Sequence, residues 1–178
     1  KPAHAAMMLV PEPWSDNPHI TEEKRSFYEY HSTLMEPWDG PSAISFTDGK
    51  QIGAILDRNG LRPARYYVTE DDYIIFSSEV GVIDVEPEKV LYKERLSPGK
   101  MLLIDLEEGR IISDKEIKSQ LANEQPYQQW LDEQLVRLEE KVEAEGEVPT
   151  DLLTRQKAFG YTYEDIQKYI LPAVSEGK

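Results

Sequence analysis

The sequence predicts an α+β fold in which a run of antiparallel strands is followed by helices. Short segments of β-branched and aromatic residues recur between residues 43 and 112, separated by tight turns. Turns of that length join antiparallel strands, because parallel strands need long crossover connections. After Ser113 the apolar residues change to helical spacing. Strands followed by helices in this way are typical of an α+β layered domain.

One helix is predicted ahead of the strands. Thr21 is a suitable N-cap, acidic residues follow it, and apolar side chains recur at helical spacing from Phe27 to Met35. We therefore predict a helix over residues 21–35, which the Pro- and Gly-containing residues 37–41 end. Residues 1–14 precede a turn-forming cluster and are assigned neither helix nor strand.

The strands are predicted from their composition and from the turns between them. Asp48-Gly49 is a hairpin signal between two short apolar segments, and an acidic turn joins the next pair. Three more segments are expected to continue the sheet. The seven predicted strands cover residues 43–46, 51–56, 66–69, 73–78, 89–92, 100–105 and 110–112.

Helices and a domain boundary are predicted after the strands. Ser113 caps a helix that carries Ile117 and Leu121, and Pro126 opens another. The apolar stripe of that second helix is Trp130, Leu131, Leu135 and Leu138. We predict one domain over residues 1–138, an acidic linker over residues 139–150, and the start of a further domain over residues 151–178. Within the last segment, short helices are expected over residues 151–159 and 162–170, the second closed by Pro172.

Composition excludes several classes of function. The 178 residues carry a formal net charge of −14, which argues against nucleic-acid partners, and no apolar run is long enough to span a membrane. The absence of cysteine excludes disulfides, thiolate metal sites and a cysteine nucleophile within these residues. It also agrees with a cytoplasmic location. The chain does not begin with Met, and we expect it to be part of a longer protein.

The densest group of chemically capable residues follows the second predicted strand. Its arginines offer planar forks for a carboxylate or a phosphate. The alternative needs no ligand: Asn59-Gly60 forms a type I′ turn and Asp57 pairs with an arginine. Both interpretations remain open from the residues alone. The group consists of Asp57, Arg58, Asn59, Gly60, Arg62, Pro63 and Arg65.

Other candidate residues carry weaker signals. The three histidines lie far apart without the spacing of a zinc motif, so we predict no metal site. Glu79, Asp84 and Glu86 are candidates for paired-carboxylate chemistry, but a solvated acidic edge is the favoured interpretation. The Gly-x-Ser-x-Gly pattern of a serine nucleophile is absent.

Two long strings resemble the large subunits of bacterial glutamate synthases. They are residues 28–41 (YEYHSTLMEPWDGP) and residues 56–66 (LDRNGLRPARY). Shorter matching strings lie at residues 7–14, 78–82, 96–101 and 159–162, and the resemblance covers nearly the whole chain. A shorter relative of the Arg-Asn-Gly-Leu-Arg-Pro string occurs in other class II glutamine amidotransferases.

The resemblance implies a partial αββα sandwich of the N-terminal-nucleophile hydrolase type. The family hydrolyses glutamine with an N-terminal cysteine and channels the ammonia to 2-oxoglutarate, forming glutamate. This chain has no cysteine, and its Asn59-Gly60 does not lie in the family's oxyanion-hole string. We therefore expect no catalytic residue here and no glutamine hydrolysis by this chain alone. The family-motif residues, with Ser78 and Glu79 added, are assigned a structural or interface role.

The resemblance also implies cofactors and partners for the full-length protein. These are FMN, an iron–sulfur cluster, a reduced nicotinamide or ferredoxin donor, the remainder of the polypeptide, and a small subunit or ferredoxin. We expect none of these cofactors to bind this segment, which would be the second half of the amidotransferase domain and the start of the central domain. Uncovered sheet edges predict self-association of the segment. The alternative is a stand-alone acidic α+β module that binds a partner without catalysis.

Overall fold

A computed structural model describes residues 1–137 and 150–177. The chain divides into two compact units, Lys1–Leu135 and Val136–Lys178. The first unit contains both sheets and the residues singled out above. Its helices and strands, in chain order, are α1 (Pro2–Leu9), α2 (Glu22–Ser32), β1 (Ala43–Thr47), β2 (Gln51–Leu56), β3 (Arg65–Thr69), β4 (Ile74–Ser77), β5 (Val90–Arg95), β6 (Met101–Asp105), β7 (Arg110–Ile112), α3 (Asp114–Ala122) and α4 (Tyr127–Gln134).

The first helix, α1, was not predicted. Lys1 provides no side-chain cap, so the usual start signal is missing. Pro2 lies in the first turn, where its missing N–H costs nothing, and alanine favours the helix. The helix is stabilised by burial of Ala3, Ala6 and Met7. Tertiary packing therefore forms a helix that local signals do not indicate.

The second helix was predicted, with its cap. The Thr21 side chain accepts a hydrogen bond from the Lys24 backbone N–H at 3.4 Å. The helix ends at Ser32, three residues before the predicted end at Met35, which is exposed. Phe27 and Tyr28 are buried on its inner face. Burial of this face, more than helix propensity, holds α2 in place.

The strands form two antiparallel sheets, and the expectation of one continuing sheet was wrong. The first sheet has the order β1-β2-β6-β7 and the second has the order β4-β3-β5. Both predicted hairpins, β1–β2 and β3–β4, are present. Strand β6 pairs with β2 rather than with β5, with Gly53 opposite Leu103.

Layering follows from the alternation of side chains along β2 and β6. Ile55 and Leu103 face the helices and share a core with Met7 and Phe27. Their neighbours on the opposite face of the sheet form a second core with β3 and with the residue that follows β5. This second core contains Ala54, Leu56, Ala64, Tyr66, Leu96 and Leu102. Helices, first sheet and second sheet are three of the four layers of the expected αββα sandwich.

The helices that follow the sheets were also predicted. The Ser113 hydroxyl accepts from the Glu116 N–H at 3.2 Å and caps α3, whose Ile117 and Leu121 are buried. The helix after Pro126 buries Leu131, but it ends at Gln134 rather than running through the predicted stripe. Leu138, the last residue of that stripe, lies outside the described residues.

The second unit consists of helices. They are α5 (Leu152–Ala158), α6 (Tyr163–Asp165), a π-helical turn (Ile166–Ile170) and α7 (Leu171–Glu176). Thr162 and Asp165 form a capping box. Pro172 does not close the helix as expected: it falls in the first turn of α7, directly after the π turn, where a missing N–H is tolerated. The predicted linker, residues 139–150, lies outside the described residues except for Thr150.

Candidate functional site

The Asp57 carboxylate organises the loop that follows β2. Its Oδ1 accepts from the Ser42 N–H at 3.0 Å. Its Oδ2 accepts from the N–H groups of Asn59 at 3.0 Å and Gly60 at 3.1 Å. Only 4% of Asp57 is exposed. Hydrogen bonds from three backbone amides satisfy the buried charge, so the carboxylate holds the loop in one conformation.

The ligand-free interpretation expected a type I′ turn at Asn59-Gly60 and an ion pair between Asp57 and an arginine, and the structure differs from it on both points. Among the described residues, backbone N–H groups and no arginine hold the Asp57 carboxylate. A type I′ turn would need positive φ at Asn59 as well as at Gly60, and only Gly60 has it, at 63°. The Gly60 N–H also donates to the Asp57 carbonyl at 3.0 Å, so Arg58 and Asn59 are the central residues of this turn. The Asp57 side chain, rather than an Asn-Gly pair, determines its geometry.

A second loop packs directly against the first. The Gly99 N–H donates to the Asp57 carbonyl at 2.9 Å. A Cβ at Gly60 would lie 2.5 Å from Cγ of Pro98, so the two turns touch through a position that only glycine can fill. A Cβ at Gly99 would lie 3.4 Å from Cβ of Glu12. The loop after β2, the loop before β6 and the segment after α1 therefore meet at one point.

Lys118 supports this junction from inside the protein. Its side chain is 1% exposed, and Nζ donates to the Gly99 carbonyl at 2.6 Å. The same Nζ lies 2.9 Å from Oδ1 of Asp114 and 3.4 Å from Oε1 of Glu12. A lysine this deeply buried requires paired carboxylates. Lys118 thus ties α3 to the loop before β6 and to the segment after α1.

Further charges surround the two carboxylates. Lys24 Nζ lies 2.9 Å from Glu12, whose Oε1 also accepts from the Tyr28 hydroxyl at 3.2 Å. Burial alone would raise the pKa of Glu12, but Lys118 and Lys24 hold that pKa below its ordinary value. For the Tyr28 phenol, burial first and Glu12 second raise the pKa, so this hydroxyl keeps its proton. Glu12 is therefore held in its ionised form between Lys118 and Lys24.

Asp114 completes the network at the start of α3. Burial works to raise its pKa, and Lys118 and Lys100 outweigh that effect and lower it. Lys100 Nζ lies 3.0 Å from Oδ2, and the Met101 N–H donates to Oδ1 at 2.9 Å. Asp114 therefore joins the first turn of α3 to the start of β6.

The three arginines of the motif lie on the surface. Arg58, Arg62 and Arg65 are exposed, and none forms an ion pair with a carboxylate of the described residues. Arg58 lines a cleft of about 310 Å³ together with residues 11–17 and Pro37. Arg65 lies opposite Ser77 in the pairing of β3 with β4. The motif thus has a buried half, which shapes the loop, and an exposed cationic half that is available for contacts.

Ser78 and Glu79 do not join the Asp57 junction through any contact of the described residues. Both are exposed and directly follow β4, at the end of the second sheet where β3 begins. Asp84 and Glu86 are exposed too, and Glu86 pairs with Lys89 at 3.4 Å. Within the part of the chain that the structure describes, no three or more metal-ligating side chains cluster in a way that could hold an ion.

Sequence reasoning missed the network around Lys118. Asp114 and Lys118 have the i,i+4 spacing of a helical ion pair, and this was the available signal. Glu12 carries no local signal, because its partners come from α2 and α3. The contact between His4 and His31, whose Nε2 atoms lie 2.8 Å apart, was also missed, since 27 positions separate them.

Comparisons with known proteins bear on the whole chain. The family model described as glutamine amidotransferases class-II matches residues 1–130. The chain is 76% identical to the glutamate synthase [NADPH] large chain of Bacillus subtilis, over 100% of this chain and 12% of that protein. It is 43% identical to the glutamate synthase [NADH] of Schizosaccharomyces pombe, over 98% of this chain and 9% of that protein. With ferredoxin-dependent glutamate synthase 2 of Synechocystis the identity is 44%, over 99% of this chain and 12% of that protein.

The family match agrees with the layered α+β architecture. The chain spans 9 to 12% of the length of these relatives. It aligns with a segment of each relative, and the family model covers the unit that contains both sheets. The chain belongs to the class II glutamine amidotransferase family.

Proposed function

We propose that this chain is the C-terminal half of the glutamine amidotransferase domain of a glutamate synthase large chain. The identity of 76% to the Bacillus subtilis large chain, over the full length of this chain, carries the proposal. The longer protein would hydrolyse glutamine and deliver ammonia to 2-oxoglutarate, forming glutamate. Residues 1–138 would belong to the amidotransferase domain, residues 139–150 to a linker, and residues 151–178 to the start of the central domain.

Within that domain, the chain would act as a scaffold rather than as a source of catalytic groups. It contains no cysteine, so the nucleophile of the family would come from another part of the polypeptide. The junction around Asp57 and Lys118 holds its loops through buried hydrogen bonds and ion pairs. The exposed Arg58, Arg62 and Arg65 would then contact the remainder of the polypeptide. A loop that is held by buried hydrogen bonds and that carries exposed arginines is suited to contact another part of the polypeptide.

The cofactors of the longer protein would bind outside these residues. An iron–sulfur cluster needs cysteine thiolates, and this chain has none to offer. FMN, a nicotinamide or ferredoxin donor, and a small subunit or ferredoxin partner are proposed for the whole protein only. We propose a cytoplasmic location. None of the helices among residues 1–137 and 150–177 has the length and apolar character needed to cross a bilayer.

The first experiment tests the scaffold role. The purified chain is incubated with glutamine, and glutamate release is measured against time and protein concentration. We expect no turnover, because covalent acyl transfer needs an activated nucleophile. Turnover that scales with protein and survives further purification would contradict the proposal.

The second experiment tests the interface role of the motif in the full-length enzyme. Arg62→Ala is expected to uncouple glutamine hydrolysis from glutamate formation or to lower the melting temperature. Arg110→Ala is the matched control, because Arg110 is also exposed and its ion pairs among the described residues are with the nearby Glu108 and Glu116. Unchanged kinetics together with unchanged melting for Arg62→Ala would exclude this role.

The isolated chain is proposed to self-associate. Strands β1 and β7 flank the first sheet and β4 and β5 flank the second, and Leu91 on β5 is 58% exposed. Edge strands with free N–H and C=O groups pair readily with another chain. Phe159 and Val174 of the helical unit are 79% and 80% exposed. Light scattering is expected to give a mass that grows with concentration. A constant monomer mass without binding of a hydrophobic dye would contradict this.

A further inference from the structure

Helices α1 and α2 meet through a pair of histidine rings that the proposed function does not use. Nε2 of His4 lies 2.8 Å from Nε2 of His31. His31 is 5% exposed and His4 is partly buried. The His31 ring also packs on Phe27, with 4.1 Å between ring centroids. The hydrogen-bond contact between the two rings therefore lies at the edge of the helix core, with His31 buried and His4 partly exposed.

The surroundings assign the hydrogens of the neutral pair. Nδ1 of His31 lies 2.7 Å from the Phe27 carbonyl oxygen, which can only accept. Nδ1 of His31 must therefore carry a hydrogen, and Nε2 of the neutral ring is then an acceptor. His4 must donate to it through its own Nε2–H. The neutral pair thus has one defined arrangement, with the hydrogen on Nδ1 of His31 and on Nε2 of His4.

The hydrogen bond between the two Nε2 atoms can persist after one proton is added to the pair, but not after two are added. With one added proton, one of the two Nε2 atoms still lacks a hydrogen and can accept from the other. With both rings protonated, both Nε2 atoms carry hydrogens and face each other at 2.8 Å. The hydrogen bond is then lost, and two positive charges lie in contact, one of them on the buried His31 ring.

Burial shifts the pKa values of both rings, and neighbouring charges also act on that of His4. Nδ1 of His4 lies 3.9 Å from Oε2 of Glu124, whose other oxygen is bonded by Lys1. Burial is the largest cause that lowers the pKa of His4, and the neighbouring His31 lowers it further. Glu124 opposes this shift only in part. Burial likewise lowers the pKa of His31.

Two phenols complete the surroundings. Tyr30 and Tyr127 pack against His31 with ring centroids 5.2 Å away. Burial raises the pKa of the Tyr127 phenol, which stays neutral and supplies no negative charge to a protonated pair. Glu124 is therefore the one carboxylate, among the described residues, that the contacts place beside the pair.

We propose that the His4–His31 pair is a pH-sensitive latch: its hydrogen bond adds to the core packing that holds α1 until both rings are protonated, and the doubly protonated pair then opposes that packing and favours release of α1. The consequence reaches the junction described above. Helix α1 ends at Leu9, three positions before Glu12, and Glu12 pairs with Lys118 beneath the Gly99 loop. Release of α1 would thus loosen one of the three segments that meet at that junction.

The test compares the pH dependence of unfolding between matched variants of the full chain. Because folding lowers both histidine pKa values, the unfolded state binds more protons below pH about 6.5. Stability is complete above that pH and falls as the pH falls. The unfolding equilibrium constant of the wild type should rise by up to about tenfold per pH unit for each proton taken up. Urea unfolding from pH 7.5 to 5.0 measures it.

Two variants isolate the pair. His4→Gln removes the conflict, because a side-chain amide can donate to a neutral His31 or accept from a protonated one. Its profile is expected to be flatter by about one proton, which is tenfold per pH unit. His19→Gln is the control, because His19 is exposed, and its profile should match the wild type. A His4→Gln profile identical to that of the wild type would overturn the proposal.

Nitrogen-15 NMR of the wild type tests the proposed tautomers and the release of α1 even where a variant fails to fold. At pH 7.5 we expect the Nδ1–H tautomer for His31 and the Nε2–H tautomer for His4. On acidification, exchange protection of the α1 amides should be lost when the second ring becomes protonated. The reverse tautomers, or full protection of α1 with both rings protonated, would overturn the latch.

Discussion

Lys118→Met is the substitution that tests the buried network most sharply. The variant keeps the aliphatic volume and removes the charge from a side chain that is 1% exposed. It abolishes the hydrogen bond to the Gly99 carbonyl and leaves Glu12 and Asp114 without their shared cation. Breaking a buried pair by removing one partner costs about 3–5 kcal/mol. Lys24 and Lys100 still compensate the carboxylates, so we expect the lower end, about 3 kcal/mol.

The assay is urea unfolding of the full chain at pH 7, with Lys115→Met as the control. Lys115 precedes Lys118 by three positions on the same helix and is exposed, so its replacement should change the free energy of unfolding by less than about 0.5 kcal/mol. A loss below about 1 kcal/mol for Lys118→Met, equal to that of the control within error, would refute a stabilising role for the network.

The same variant should change the acid dependence of stability. The pKa values of Glu12 and Asp114 lie below their ordinary values of 4.5 and 3.8 in the folded chain. The stability that they contribute is therefore present above those values and is lost as the pH falls through the folded-state pKa values. Without Lys118 both pKa values rise, and the wild type should lose more stability than the variant between pH 5 and pH 3. Parallel profiles would show that Lys118 is not what lowers these pKa values.

Three further substitutions probe the Asp57 junction by the same unfolding assay. Gly60→Ala should lower the free energy of unfolding by about 1–3 kcal/mol more than Gly49→Ala does. Both glycines have positive φ, but of the two only Gly60 would place its new Cβ against Pro98, so equal losses would exclude a tight contact there. Asp57→Asn should cost about 1–3 kcal/mol, because one acceptor oxygen becomes a donor facing backbone N–H groups; a neutral result would mean that the loop is held elsewhere. Ser42→Ala should cost less than about 0.5 kcal/mol, because its buried hydroxyl has no hydrogen-bond partner among the described residues, and a larger loss would reveal one.

Local signals predicted much of the fold. The caps at Thr21 and Ser113 and the hairpin turn at Asp48-Gly49 have short-range causes, and each lies where expected. The division into two sheets does not have such a cause. Strand β2 is apolar on both faces, so its sequence does not show which side chains meet the helices and which meet the second sheet. The division into two sheets depends on the pairing of β6 with β2, two strands that are distant in the sequence.

For the candidate site, the sequence indicates the residues of the motif but not their long-range partners. The residues from Asp57 to Arg65 stand out by composition, but the partners of Asp57 are backbone amides contributed partly by a distant residue, Ser42. Lys118 and Glu12 meet only because α3 and the segment after α1 converge on Gly99. The same holds for His4 and His31. Contacts between distant segments depend on topology, which local patterns do not contain.

Segment replacement tests whether this chain is a functional part of a glutamate synthase large chain. The matching segment of the Bacillus subtilis glutamate synthase large chain is exchanged for these 178 residues, and glutamate formation from glutamine and 2-oxoglutarate is measured beside the parent enzyme. We expect the chimera to form glutamate at a rate within about tenfold of the parent, which corresponds to a barrier change of about 1.4 kcal/mol or less. A chimera that folds and assembles like the parent but forms no glutamate would contradict the claim that this chain is the corresponding part of such an enzyme.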